Sequence, residues 1–150
     1  MRPGRKMKQG KEMNEKPPET IEMEPIGYVE NDYLEPVFNE KVYQTVSKII
    51  LKEELVDGLQ RIEDFEKLYI LFHFSKSKDY KLVQRRRYDG NISGVFACRT
   101  PHRPNGIGLT RVELMKVEGN VLHVKGLDAI NGTPVLDIKP YIKKIEEGSD

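Results

Sequence analysis

The sequence predicts an all-β fold, a mostly antiparallel barrel or sandwich carrying short helical turns. At least six segments read as short strands, and turn signals at Asn31-Asp32, Asp89-Gly90-Asn91, Glu118-Gly119-Asn120 and Asn131-Gly132 separate them. No strand–helix–strand rhythm, dinucleotide fingerprint or phosphate loop is present, so a Rossmann-type architecture is not expected. The chain has 150 residues, 37% hydrophobic and 33% charged, which suits one domain with a real core rather than a disordered polymer.

Residues 1–20 hold six Lys or Arg, three Glu and three Pro, and read as a flexible basic arm. It is either a plain leader or an auxiliary contact to nucleic acid. The folded domain is expected over 21–142, with 143–150 a solvated tail. Ile26 to Val29 is the first strand candidate and 42–51, VYQTVSKIIL, the second. Between Glu53 and Glu66 there are six acidic residues and one basic. There Leu55, Leu59, Ile62 and Phe65 recur at helical spacing, while Gly58 argues for short turns over one long helix. KLYILFHF, 67–74, is the most hydrophobic run and should be a central strand. Lys76 to Asp89 is a surface excursion with six positive charges against two negative. Ile92 to Ala97 returns as a strand. LTRVELMKVEGNVLHVKG reads as a hairpin, with Thr110, Val112 and Leu114 sharing one face. Pro134 to Ile138 is a last short strand.

Bulk charge excludes little, since +1 overall makes no global case for a polyanion partner. The start of the chain lacks the apolar core of a signal peptide, and no apolar run reaches a membrane-spanning length. Together with a single cysteine, Cys98, this makes a soluble cytoplasmic protein the expectation. Cys98, His73, His102 and His123 have spacings unlike any zinc signature, so no metal is expected.

Chemistry concentrates in two stretches. In CRTPHRPNGIGL, Arg99 and Arg103 offer rigid guanidinium forks for carboxylate or phosphate, and the prolines stiffen the loop. Gly106 and Gly108 permit close backbone approach, and Asn105 can close a turn. The plain alternative is a structural corner with solvated arginines. In GLDAINGTPVLDIKPY, Asp128 ends a strand where a carboxylate can accept from a pair of ribose hydroxyls. Asp137 and Lys139 share a face and can simply pair with each other, and Tyr141 offers a ring or a hydroxyl. Arg85, Arg86 and Arg87, interleaved with Tyr80 and Tyr88, suit phosphates and unpaired bases, with a solvated loop as the rival.

IGYV, GVFACRTPHRPNGIGLT and GLDAINGTPVLDIKPY, in that order and spacing, resemble the TsaA-like (TrmO) family over about residues 24–142. The resemblance implies a β-barrel methyltransferase that uses S-adenosyl-L-methionine, forms homodimers and methylates N6 of threonylcarbamoyl-adenosine at tRNA position 37. It implies cofactor contacts at Phe74, Ser75, Arg99, Leu109, Lys125, Gly126, Leu127 and Asp128. It also sets Arg103, Asn105, Asp137, Lys139 and Tyr141 near the site. Asp137, His102 and Tyr141 are then the candidates to take or relay the acceptor's proton, and Arg103, Asn105, Lys139 and Arg85 to Arg87 the substrate contacts. Two departures stand out. The family's Pro-x-Gln tripeptide has no counterpart in LEPVFNEKVYQTV, and Gly106 follows Asn105 where proline is usual. They leave open a cofactor-binding module with a different or lost acceptor, and the basic arm with Arg85 to Arg87 leaves open a non-catalytic RNA-binding protein.

Overall fold

The computed structural model describes residues 16–35 and 40–148. Most of the basic arm and part of the LEPVFNEKVYQTV region lie outside the described residues. Among the described residues eight strands form: β1 (Gly27–Glu30), β2 (Val46–Leu51), β3 (Lys67–His73), β4 (Val83–Arg85), β5 (Ile92–Gly94), β6 (Ile107–Glu118), β7 (Val121–Lys125) and β8 (Pro134–Pro140). Six of them close an antiparallel barrel in the order β1-β2-β7-β6-β3-β8, and β4 and β5 pair separately.

Alternation explains the barrel. Inward side chains at Ile49, Leu68, Ile70, Leu122, Val124 and Val135 are fully buried, and their strand neighbours point outward. Two strands need a correction to strict alternation. Leu71 pairs with Asp137 but Phe72 with Val135, so β8 carries one extra residue. That bulge turns both Val135 and Ile138, three apart, toward the core. An equivalent shift between Leu114 and Lys116 does the same for Leu114 and Val117 on β6.

Several expectations change in detail. The 42–51 strand begins only at Val46, because Glu40–Gln44 forms a 3-10 turn. Thr45 closes that turn, its amide donating to the Val42 carbonyl and its hydroxyl to the Lys41 carbonyl. The acidic segment is two 3-10 turns, Glu53–Leu59 and Ile62–Asp64, and the break falls at Arg61, whose φ is +65°, rather than at Gly58. Ile92 to Ala97 is strand only to Gly94, and it pairs with β4 outside the barrel. Val95–Ala97 is a 3-10 turn that buries Val95 and delivers a buried Cys98. The 76–88 excursion is therefore half of a small hairpin, not simply a loop. The tail includes a one-turn helix, α1 (Lys143–Glu147).

No helix among the described residues is long and apolar enough to cross a membrane.

Candidate functional site

β3 ends at His73 beside the start of β6, and the Phe74 amide donates to the Gly106 carbonyl at 2.7 Å. This bond sets the CRTPHRPNG loop, 98–106, against the chain just after β3. Across from it runs the loop after β7, 126–133. Gly126 turns that loop with φ +96°, a conformation side chains rarely adopt, and Leu127 plugs the core. The loop is clasped by Asn31. Its side-chain nitrogen donates to Ser47 Oγ (3.0 Å) and to the Ala129 carbonyl (2.9 Å), and its amide donates to Asn131 Oδ1 (3.1 Å).

Between the two loops lies a cavity of about 530 Å³, bounded by Phe72, Phe74, Ser75, Arg99, Asp128 and residues 129–133. A smaller space of about 240 Å³ adjoins it, shares Phe72, Phe74, Arg99 and Asp128, and adds Arg103, Leu109 and Thr110. The aromatic wall is an edge-on pair, Phe72 and Phe74, with centroids 5.1 Å apart. It depends on Gly108, since a Cβ there would lie 2.5 Å from the Phe72 ring and 2.9 Å from that of Phe74. Arg99 Nη2 donates to the Leu109 carbonyl at 2.8 Å, and Thr110 Oγ1 donates to Asp128 Oδ1 at 2.6 Å. A cation and an anion are thus held on adjacent residues of β6. An aromatic wall, a guanidinium, a carboxylate and small hydroxyls suit a ligand with a flat base, a diol and a charged tail.

The expected site residues divide by place. Phe74, Ser75, Arg99 and Asp128 surround the larger cavity, and Leu109 and Arg103 line the smaller. Arg103 Nη1 also donates to the Cys98 and Thr100 carbonyls, so it staples its own loop. Asn105 lines a separate cleft of about 540 Å³ between the barrel and residues 18–25. Leu127 and Gly126 are buried, able to present backbone only, and Lys125 pairs in register with Glu113 and Val46. His102 sits between two lining residues, Pro101 and Arg103. Its Nδ1 lies 3.2 Å from the Asp79 carbonyl, which can only accept, so Nδ1 carries the proton and Nε2 is the basic nitrogen of the neutral ring.

Other expected residues lie elsewhere. Asp137 and Lys139 pair with each other at 3.1 Å, opposite Leu71 and Tyr69 on β3. Tyr141 lies at the far end of β3, its amide donating to the Lys67 carbonyl. Its ring meets Tyr69 and Arg111, and its hydroxyl donates to Glu147. That carboxylate, foremost among the causes, holds the phenol above its ordinary pKa. Arg85 donates to the Gly90 carbonyl, and Arg86 pairs with Asp89 and lies over the Tyr88 ring at 4.9 Å. Arg87 follows in the same turn.

The sequence alone does not mark Thr110, Asn31 or residues 129–133 as site residues. Asn31 read only as a turn signal, since its partners are 16 and about 100 residues away. Thr110 carries one signal, being the polar position on the strand face it shares with Val112 and Leu114.

Residues 33–147 match the family described as the tRNA-methyltransferase O N-terminal domain. A tRNA (adenine(37)-N6)-methyltransferase of Rattus norvegicus is 41% identical over 130 residues, covering 79% of this chain and 30% of that protein. An S-adenosyl-L-methionine-binding protein of Archaeoglobus fulgidus is 42% identical over 101 residues, covering 67% of this chain and 73% of its own length. The crystal structure of TrmO from Pseudomonas aeruginosa superposes with a TM-score of 0.69 at 31% identity, over 87% of this chain and 60% of that one. The chain thus spans about a third of the rat relative. It belongs to the tRNA-methyltransferase O family.

Proposed function

We propose that this chain is an S-adenosyl-L-methionine-dependent methyltransferase acting on N6 of threonylcarbamoyl-adenosine at tRNA position 37, working as a cytoplasmic homodimer. The observation that carries the reading is the meeting of Phe74, Ser75, Arg99 and Asp128 around one cavity in a chain of this family. When bound, the cofactor supplies an electrophilic methyl on a sulfonium.

The residues present fit that ligand. Phe72 and Phe74 offer the adenine an apolar wall, and Asp128 can accept from the ribose diol. Arg99 repels a sulfonium and attracts a carboxylate, so it faces the methionyl carboxylate. An exocyclic nitrogen conjugated to a purine is a weak nucleophile, so the protein contributes chiefly by holding it in line. Proton removal falls to His102, whose Nε2 is basic and whose loop forms the cavity rim. Tyr141 suits this role poorly, because its hydroxyl already donates to Glu147 at the far end of β3. Asp137 is engaged by Lys139.

Lys76 and the β4–β5 hairpin, with Tyr80 and Tyr88 about half or more exposed, would meet the tRNA backbone and unpaired bases. Ile107 and Leu109, outward and partly exposed beside the cavity rim, offer apolar surface to a second copy.

The test is transfer of labelled methyl from S-adenosyl-L-methionine to two tRNA pools, one carrying threonylcarbamoyl-adenosine at position 37 and one lacking it. Label in the first pool alone is expected. Label in neither, from protein that binds the cofactor, would replace this reading with a binding module of different or lost acceptor.

A further inference from the structure

Among the inward positions of the barrel strands Ser47 and Thr110 are polar, while Thr133, buried just before β8, donates to the Ile130 carbonyl within its own loop. Ser47 and Thr110 both support the loop 126–133. Ser47 Oγ accepts from Asn31, which also holds the Ala129 carbonyl. Thr110 lies on the same face of β6 as the buried Gly108 and Val112, where the alternation calls for an apolar side chain. Thr110 is only half-buried and opens on the smaller cavity, and its hydroxyl donates to Asp128 Oδ1 at 2.6 Å, across 18 residues of sequence.

The partner matters more than the burial. Asp128 borders both the larger and the smaller cavity, and Thr110 borders the smaller. An exposed aspartate on a loop has two χ torsions to settle, and it presents a defined acceptor only if something fixes them. The hydroxyl donates to Oδ1, which fixes the carboxylate and leaves Oδ2 open to the ligand.

We propose that Thr110 is the positioning residue of this site. Through its hydrogen bond to Oδ1 it orients Asp128, so that the other carboxylate oxygen can accept from the ribose hydroxyls of an adenosyl ligand. This rests on the adenosyl reading above. Leu109 does the corresponding task for the cation, since its carbonyl accepts from Arg99. Two adjacent residues of one rigid strand thereby set the spacing between the anion and the cation of the site.

The experiment is calorimetric titration of the full chain with S-adenosylhomocysteine, for wild type, Thr110→Val, Thr110→Ser, Asp128→Ala and the Val/Ala double variant. Thermal melting of each unliganded protein accompanies it. Thr110→Val should bind about tenfold more weakly, the scale for losing a hydrogen bond to a charged group. Thr110→Ser should bind within about twofold of wild type, because the hydroxyl is retained. The double variant should bind no more weakly than Asp128→Ala alone, because Thr110 acts only through that side chain.

Wild-type affinity in Thr110→Val, or losses that add in the double variant, would overturn the assignment. Should Thr110→Val fail to fold, Thr110→Ala enters the same cycle with the same expectations. Wild-type protein that does not bind S-adenosylhomocysteine overturns the adenosyl reading itself, and this inference with it.

Discussion

Arg99 and Arg86 lie 13 residues apart, and both belong to stretches rich in basic side chains. Their surroundings differ. Arg86 is engaged locally, by Asp89 three residues on and by the Tyr88 ring. Its work is to shape the turn between β4 and β5. Arg99 is steadied by one main-chain acceptor, the Leu109 carbonyl, and borders both cavities. A guanidinium bonded to a carbonyl keeps its full charge and most of its donors for a ligand, whereas one paired with a carboxylate is largely neutralised. Local charge density therefore says less about binding than the identity of each arginine's existing partner.

The sharpest way to break the comparison is to neutralise both arginines. Arg99→Gln should weaken S-adenosylhomocysteine binding by about tenfold to a hundredfold, with little change in melting temperature. Calorimetry and a thermal melt read the two quantities separately, and an affinity equal to wild type would remove Arg99 from the site.

Gly108→Ala attacks the wall that faces Arg99. Its new methyl would meet the Phe72 ring, and overpacking of this kind costs about 1–3 kcal/mol. Denaturant unfolding should show that loss together with weaker ligand binding, because the displaced rings border the cavity.

Arg86→Gln should leave ligand affinity within about twofold of wild type, since its contacts stay inside the hairpin. Faster amide hydrogen exchange at Gly90 and Asn91 is the expected signature. Unchanged exchange would mean that the ion pair does not hold the turn.

The smallest effect is a pH dependence of the same hairpin. The Arg86 guanidinium, then the Asn91 amide, hold the Asp89 carboxyl below its usual 3.8. A carboxyl depressed on folding stabilises above its unfolded pKa and loses that contribution as the pH falls through the folded value. Protection at Asn91 should therefore be complete at neutral pH and fade only in acid below the ordinary carboxylate range. The 98–106 loop, which has no such pair, should show no matching loss.

The sequence was informative where signals are local or motif-bound. Alternation in KLYILFHF and VLHVKG marks barrel strands, and the two glycine-rich stretches lead to the loops that face each other across the cavity. What it concealed has a common cause. The pairing of Asn31 with Asn131 exists only after the barrel closes, and that of Thr110 with Asp128 only once the β6–β7 hairpin sets its register, so neither polar side chain shows a partner among its immediate neighbours in the chain. The bulges at Leu136 and Met115 are hidden for the same reason, because an extra residue is defined only against the partner strand. Arg86 is the counterexample. Its aspartate lies three residues away in RRRYDGN, so its engagement could have been inferred before the hairpin was seen.

Barrel closure has a consequence for how the protein is made. β8 pairs with both β1 and β3, so the earliest strand waits for the last one. Until residue 140 has left the ribosome, a nascent chain has at best an open five-stranded sheet with two unpaired edges, and such edges invite mispairing with other chains. The β1–β8 seam has only two pairs in register, Gly27 with Val135 and Tyr28 with Pro134, and it follows directly on the loop that walls the cavity. Emergence of β8 and closure of the barrel are therefore one event, and a product truncated before β8 loses both the closed barrel and the strand that anchors the end of the cavity-wall loop.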